Sequence, residues 1–280
     1  MTDIRGVAAP AVDIVIPCYN ESAAAIERTI RSIRAQSRAP RRVLLVDDCS
    51  ADQAGLADAT ALGAEVLRQP RNGGISAARN AGIREVDAPF IACVNIEVLP
   101  DVDWLAVCVE YFERNPSVGV IAVRIRVEDP RPLLVRWRMR FQEAHYPSAS
   151  GPIPWGTGHA LIFRAEAISA VVGFNENLRK AGEDVDICFR IAAAGWQVHF
   201  VAESGAISMQ YNSLQALARA EYNRSIYRAE TGNGLWRGLG IAANRMIQRS
   251  IRHVIFLRWP LLAVEPGVFY HQLPRIWRHR

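Results

Sequence analysis

The chain has 280 residues, half of them hydrophobic and 22% charged, with 19 Gly and 15 Pro. This supplies a large core and excludes disorder, a coiled coil and collagen-like or short-period repeats. The net charge of +5 is unevenly placed: residues 211–280 carry eleven Arg against Glu221, Glu230 and Glu265, a local +8 that leaves −3 for 1–210 and argues against a nucleic-acid-binding fold.

Val12 to Cys18 reads as a buried strand, and Glu21 to Gln36 places Ile26, Ile30 and Ile33 at helical spacing. Val43 to Val46 is a second strand. It runs into Asp47-Asp48-Cys49-Ser50-Ala51-Asp52, whose Ser and Asp residues suit the N-cap of a helix through about Leu62. Ala64 to Leu67 is a third, short strand; Asn72-Gly-Gly74 is a turn; Ser76 caps a helix from Ala77 to Glu85; Phe90 to Val94 is the next strand. Strands alternating with helices predict a parallel sheet with covered faces. The second half is mixed, with strands over Val118 to Val127 and Gly156 to Phe163, a helix from Asp184 to Ala194 closed by Gly195, and two short strands within Val198 to Met209. From Ser213 onward the pattern is helical, broken at Gly232-Asn-Gly234.

Five cysteines (Cys18, Cys49, Cys93, Cys108 and Cys188) with no Cys-x-x-Cys pair fit free thiols in a reducing compartment. The N-terminus lacks a signal-peptide apolar run, and the longest apolar stretch, Val254 to Val264, is broken by Arg258 and Pro260. A cytoplasmic location is expected.

In parallel sheets ligands bind beyond the C-terminal strand ends, and three polar clusters fall there: Pro17-Cys-Tyr-Asn-Glu21, Asp47-Asp48 and Asn95-Ile-Glu97. Four segments then carry a resemblance: Val-x-Ile-Val-Ile-Pro-x-Tyr-Asn-Glu at 12–21, Val-Leu-Leu-Val-Asp-Asp-x-Ser at 43–50, Asn-Gly-Gly-Ile-Ser-Ala-Ala-Arg-Asn at 72–80, and Gly-Phe-Asn-Glu followed by Gly-Glu-Asp-Val-Asp within 173–186. In this order and spacing the chain resembles the family-2 glycosyltransferases of the GT-A fold, and among them bacterial rhamnosyltransferase-like enzymes of polysaccharide assembly. The resemblance implies an α/β fold with a Rossmann-like, mixed but mainly parallel sheet over 1–210, a basic helical extension over 211–280, and transfer of a sugar with inversion from a nucleotide-sugar to a hydroxyl-bearing acceptor. That acceptor would be a glycan, a lipid-linked sugar or a small molecule.

The residue chemistry fits that implication. Asp48 can accept the ring N–H of a nucleotide base and Tyr19 can offer a flat surface, with Pro17 and Glu21 beside them; the other reading is that Asp47, Asp48 and Ser50 cap the next helix. Asn72 and Gly73 open the backbone for close approach of a ligand, and Arg79, one turn into the next helix, either faces the sugar-nucleotide or is an ordinary surface residue. An inverting transfer needs a base, which the resemblance places at Asp184, with Glu183 orienting it or holding the acceptor and Asp186 as a helix-terminal charge. Trp155 and His159 border a Gly-rich segment open enough for an acceptor to approach, with an indole on which a sugar ring could stack, or else they are an ordinary core Trp and a surface His.

Relatives carry Asp-x-Asp where this chain has Asn95-Ile96-Glu97, and a His near 206–211 where it has Ser208-Met209-Gln210. Glu97 keeps one hard oxygen ligand for Mg²⁺ or Mn²⁺, so weakened metal binding, metal-independent transfer by arginines and a fold without transfer activity all stay open. That last alternative would be a GT-A-fold protein that binds a nucleotide or partner. A nucleotidyltransferase is disfavoured because the first strand is not followed by a Gly-rich, basic phosphate loop. Taken as a helix, Ile241 to Leu257 puts Arg245, Arg249 and Arg252 opposite Ile247, Ile251 and Val254, which suits peripheral contact with an anionic membrane or packing against the catalytic domain or a second subunit through 241–280.

Overall fold

The computed structural model describes residues 10–127, 146–178 and 182–209. The chain divides into two compact units, residues 1–126, 147–179 and 183–209 in one and 127–146, 180–182 and 210–280 in the other, and the elements below build the first. The helical pattern expected from Ser213, the two-sided helix at 241–257 and its membrane or dimer contact lie outside the described residues. Among the described residues no helix is long and apolar enough to cross a membrane.

Strand β1 (Val12–Cys18) is buried at all seven positions, as a strand covered on both faces must be. It is followed by α1 (Ala23–Arg34), β2 (Arg42–Asp47), α2 (Ala54–Ala61), β3 (Glu65–Arg68), α3 (Ile75–Arg84) and β4 (Phe90–Val94). β1 pairs in parallel with β2 on one side and with β4 on the other, and β2 pairs in parallel with β3. The chain therefore winds outward from β1 to β3 and returns across it to β4. That reversal opens a crevice at the C-terminal ends of β1 and β4.

Beyond β4 the sheet becomes mixed. β5 (Val98–Pro100), α4 (Trp104–Arg114), β6 (Val118–Val127), β7 (Gly151–Pro152), β8 (Ala160–Arg164), α5 (Ala165–Ala170), α6 (Glu183–Ala193) and β9 (Gln197–Ser208) follow in order. The sheet runs β3-β2-β1-β4-β8-β6-β9-β5, with β7 also on β9, and β8 antiparallel to both β4 and β6. The α/β architecture expected from the sequence, a mixed sheet flanked by helices, is present, with its parallel pairings among β1 to β4 and antiparallel ones beyond.

Alternate residues of the strands feed two cores. Ile14 and Ile16 of β1 join Ile26, Ile30 and Ile33 of α1 and Trp104, Leu105, Cys108, Val109 and Phe112 of α4 on one face. Val15 and Val46 join Ala78 and Ala81 of α3 and Ile187, Cys188 and Ile191 of α6 on the other. Each fully buried isoleucine is worth about 1.5–3 kcal/mol, so α1 is held mainly by its one apolar stripe. Its start is fixed by Ser22, whose Oγ accepts the Ala25 N–H at 3.3 Å. At the opposite end of the sheet from the crevice, Asp13 in β1 is buried, accepts two bonds from Arg41 at 2.9 and 2.5 Å and takes the Ala88 N–H at 3.2 Å.

Several local expectations are corrected. α2 starts at Ala54 with Gln53 at its cap, because Asp47 pairs with Arg68 of β3, Asp48 accepts from the Gly73-Gly74 turn and Ser50 Oγ accepts from Asn20 N; only Asp52 reaches the helix, accepting the Ala54 N–H at 2.9 Å. Ser76 lies inside α3, which begins at Ile75 after Gly74, and it makes no capping bond. The region expected to hold two short strands is one continuous twelve-residue strand, Gln197–Ser208. β5 and α4 were not anticipated.

Gly82 shows how closely α3 lies on the sheet. A Cβ there would overlap Val15 Cγ1 and come within 3.0 Å of Val46 Cγ2. Alanine gains about 1 kcal/mol of helix propensity over glycine, but overpacking costs typically 1–3 kcal/mol. A Cβ overlapping Val15 Cγ1 puts the cost in the upper half of that range, about 2–3 kcal/mol, so Gly82→Ala is expected to lower the unfolding free energy in urea by about 1–2 kcal/mol net, against a parent-like midpoint if α3 could simply lift.

Candidate active site

The crevice is built from loop ends that clasp one another. Asp48 N donates to Cys18 O at 2.8 Å, Asn20 N to Ser50 Oγ at 2.8 Å, Ala51 N to Asn20 Oδ1 at 2.9 Å and Ser50 N to Asp47 Oδ1 at 3.1 Å. Asp47 is fully buried and ion-paired to Arg68 of β3 at 3.0 Å. Asn20 and Cys49 adopt positive φ, of 54° and 64°, where the two chains turn out of their strands. Pro17 is buried within β1 opposite Val46, whereas Tyr19 is half exposed. Burial raises the Cys18 thiol to about 12, which leaves no nucleophilic thiolate at this strand end.

Asp48 is buried and both of its carboxylate oxygens accept backbone bonds, Oδ1 from Gly73 N at 2.8 Å and Oδ2 from Gly74 N at 2.7 Å. Asn72 Nδ2 donates to Asp48 O at 3.3 Å. The backbone amides that the sequence offered to a ligand are thus held by Asp48, and Asp48 caps no helix. Gly74 has φ 88°, and a Cβ on Gly73 would stand 2.7 Å from Ala77 Cβ, so both glycines are needed for this turn.

Arg79 is not a surface residue. It is 0% exposed, and its guanidinium donates to Glu183 Oε1 at 3.1 Å, to Asn95 Oδ1 at 2.8 Å and to Gly158 O at 2.6 Å, 5.0 Å from the Phe174 ring centroid. Its neighbour Asn80 donates to Phe174 O at 2.8 Å and Glu176 Oε1 at 2.9 Å, and accepts the Phe174 N–H at 2.8 Å. Gly173 has φ 75° and would place a Cβ 2.5 Å from Asn80 Oδ1. Two distant motif segments, 72–80 and 173–176, are thereby locked together.

Glu183 and Asp184 open α6. Glu183 is buried, and burial first, then the adjacent Asp184, push its carboxyl above the usual range, against the pull of Arg79. Asp184 is half-buried; its Oδ2 accepts the Gly158 N–H at 2.9 Å and its Oδ1 the Val185 N–H at 2.9 Å. Asp186 is paired with Arg190 at 2.7 Å, and Arg190 also donates to the carbonyls of Val171 and Gly173. Gly158, expected from the sequence only to open the backbone for an acceptor, lies between the two acids and Arg79. Its only signal was a place in the Gly-rich segment before β8.

Trp155 is half-buried and packs against the second core, which limits the indole face it can offer a sugar. His159 is half-buried and its carbonyl accepts the Asn95 N–H at 3.0 Å. Glu97 is half-buried with φ 63°, and its N–H donates to the buried Thr29 Oγ1 at 3.0 Å. Burial, then the facing Glu97, raise the Glu21 carboxyl above its ordinary value. Among the described residues no three His, Cys, Asp or Glu side chains gather as a metal cage. Glu97 and Glu21 are the carboxylates here that would be available to an ion of the Mg²⁺ or Mn²⁺ type.

The family model for glycosyl transferase family 2 matches residues 13–172. A pre-mycofactocin glycosyltransferase of Mycobacterium tuberculosis is 32% identical over 199 residues, covering 68% of this chain but only 40% of that protein's length. An N-acetylglucosaminyl-diphospho-decaprenol L-rhamnosyltransferase of the same species is 24% identical over 276 residues, covering 81% of this chain and 90% of its own. The solved structure of a mannosyltransferase from Pyrobaculum calidifontis, in complex with GDP-Man and Mn²⁺, superposes with TM-score 0.65 at 17% identity, covering 98% of this chain and 89% of that one. GalNAc-T7 with UDP, GalNAc and Mn²⁺ superposes with TM-score 0.60 at 17% identity, covering 79% and 48%. The fold is that of the GT-A glycosyltransferases. A family match across more than half of the chain, joined to a sheet whose reversal at β1 gathers the motif residues in one crevice, makes this chain a member of glycosyl transferase family 2.

Proposed function

We propose that the chain is an inverting glycosyltransferase that moves a sugar from a nucleoside-diphosphate donor to an acceptor hydroxyl, with Asp184 as the general base. The observation that carries this reading is Asp184 itself, a half-buried carboxylate at a helix start, held by the Gly158 N–H beside the crevice. In the transfer the acceptor oxygen attacks the anomeric carbon, the bond from that carbon to the leaving phosphate oxygen breaks, and the nucleoside diphosphate departs with the electron pair. The acceptor proton passes to Asp184. Helix N-terminal N–H groups and Gly158 keep that carboxylate aimed, which lets binding energy go into orientation.

The half-exposed Tyr19 offers the donor's base a flat surface, and each Asp48 oxygen keeps a lone pair for a ring N–H beyond its bond to the glycine turn. Asn72, Gly73 and Asn95 border the ribose and diphosphate region, while Pro17 shapes it from within β1. Glu183, Trp155 and His159 face the acceptor side. Glu97, with Glu21 beside it, would hold a divalent ion, whose chemistry is to neutralise the leaving diphosphate. Names of relatives that bind GDP-Man or UDP, or act on a decaprenol-linked sugar, support a nucleotide-sugar donor and a glycan or lipid-linked acceptor.

Release of nucleoside diphosphate from a panel of UDP-, GDP- and dTDP-sugars tests the activity with water as acceptor, and a parent chain that releases none from any donor would favour a fold that binds without transferring. Asp184→Asn keeps the shape but removes the proton acceptor, so turnover should fall by about 10² or more while nucleoside diphosphate affinity stays nearly constant. Near-normal turnover would remove Asp184 as the base. For the metal, calorimetric titration of the same diphosphates should tighten with Mn²⁺, and Glu97→Gln should abolish that gain. Affinity indifferent to Mn²⁺ and chelator would instead assign charge neutralisation to arginines and backbone donors.

A further inference from the structure

Arg79 lies at the centre of the crevice wall yet presents no surface to it. Its Nη2 donates to both Asn95 at the end of β4 and Gly158 O, while its Nη1 donates to Glu183 at the start of α6. Gly158 carries the link onward, because its carbonyl accepts from Arg79 while its N–H donates to Asp184 Oδ2 at 2.9 Å. The space at Gly158 is closed: a Cβ would stand 3.1 Å from Asp184 Cβ, 3.2 Å from Arg79 Nη2 and 3.4 Å from Glu183 Oε1. One planar group thus sets the separation of two loops and a helix start.

We propose that Arg79 is a positioning residue for the transfer step, fixing Asp184 through Gly158 and Glu183 without touching donor or acceptor, and that Gly158 is the relay. This rests on the reading of Asp184 as the base. The physical basis is the fork of the guanidinium: five donors in a rigid plane can hold three segments at set distances, which a lysine ammonium on a flexible stem cannot. A carboxylate displaced by about 1 Å from the attacking hydroxyl can cost on the order of 10² in rate, while donor binding loses only what Asn95, one of several donor contacts, gives up when its bond to Arg79 changes.

The test uses the full chain with Arg79→Lys, which retains the charge and loses the fork, and Gly158→Ala, which retains the guanidinium and wedges the relay. Both are assayed for donor-sugar turnover, for UDP and GDP affinity by calorimetry and for melting temperature. Each variant is expected to lose about 10- to 100-fold in kcat with nucleotide affinity within about threefold of the parent. Combined with Asp184→Asn, each should cost almost nothing further, because the group it positions is already gone.

A tenfold weaker UDP or GDP affinity in Arg79→Lys would make the residue a donor contact and overturn the proposal. So would unchanged kcat in both variants, or losses that multiply with Asp184→Asn. If Arg79→Lys fails to fold, Gly158→Ala reads the same link alone. Retained turnover in Asp184→Asn by itself removes the base assignment, an outcome distinct from multiplied losses in the pair, which remove only the link. No turnover by the parent from any donor sugar overturns both.

Discussion

The site depends on one buried guanidinium. Removing a buried charge from water costs several kcal/mol, and Arg79 recovers this only because a carboxylate, an amide oxygen and a backbone carbonyl converge on it. None of those three partners belongs to its own helix. Taking away the Arg would leave Glu183 buried beside Asp184 with no counter-charge, a change that typically costs 3–5 kcal/mol when one partner of a buried pair is lost. The same contact therefore keeps α3, the end of β4, the segment before β8 and the start of α6 in register and keeps two adjacent carboxylates tolerable in a dry wall.

The loop ends after β1 and β2 are organised by a comparable device of opposite sign. Asp48 is a buried carboxylate neutralised by two amides of a glycine turn, and that turn feeds directly into the helix that bears Arg79. The loop after β2 and the start of α6 are thus tied by α3, anchored by Asp48 before its start and by Arg79 in its second turn. The helix cannot shift on the sheet to relieve strain at either end, since Gly82 brings its backbone against Val15 and Val46.

The parallel half of the fold was legible because β1, β2 and β4 are short apolar runs bounded by polar residues, the pattern that double burial imposes. The antiparallel half was read less well. Trp104, Leu105, Cys108, Val109 and Phe112 carry a plain helical period, so α4 was readable and overlooked, whereas the three-residue β5 is too short to show a period. For the candidate site, Asp48 is singled out in the sequence by its place after a strand, and Asp184 and Glu183 by the family resemblance and their place at a helix start. What sequence could not give is burial: Arg on a helix ordinarily points to solvent, and only tertiary placement reveals that Arg79 is enclosed and that Asp48 serves a glycine turn. Gly158 was hidden for a related reason, since its importance lies in the absence of a side chain among three others.

The clasp between the 72–80 segment and the later motifs also bears on biosynthesis. Glu183 follows Arg79 by 104 positions, and Phe174 follows Asn80 by 94. At about 5–20 residues per second, the ribosome leaves the first four strands and α3 without these partners for about 5–20 s. During that interval a guanidinium destined for enclosure must stay hydrated, so α3 cannot settle fully onto the sheet until the later residues emerge. The contacts around Arg79 are consequently among the last of this unit to close, and a nascent chain interrupted before Gly158 would hold the loops after β1 and β2 without the later segments that complete the wall.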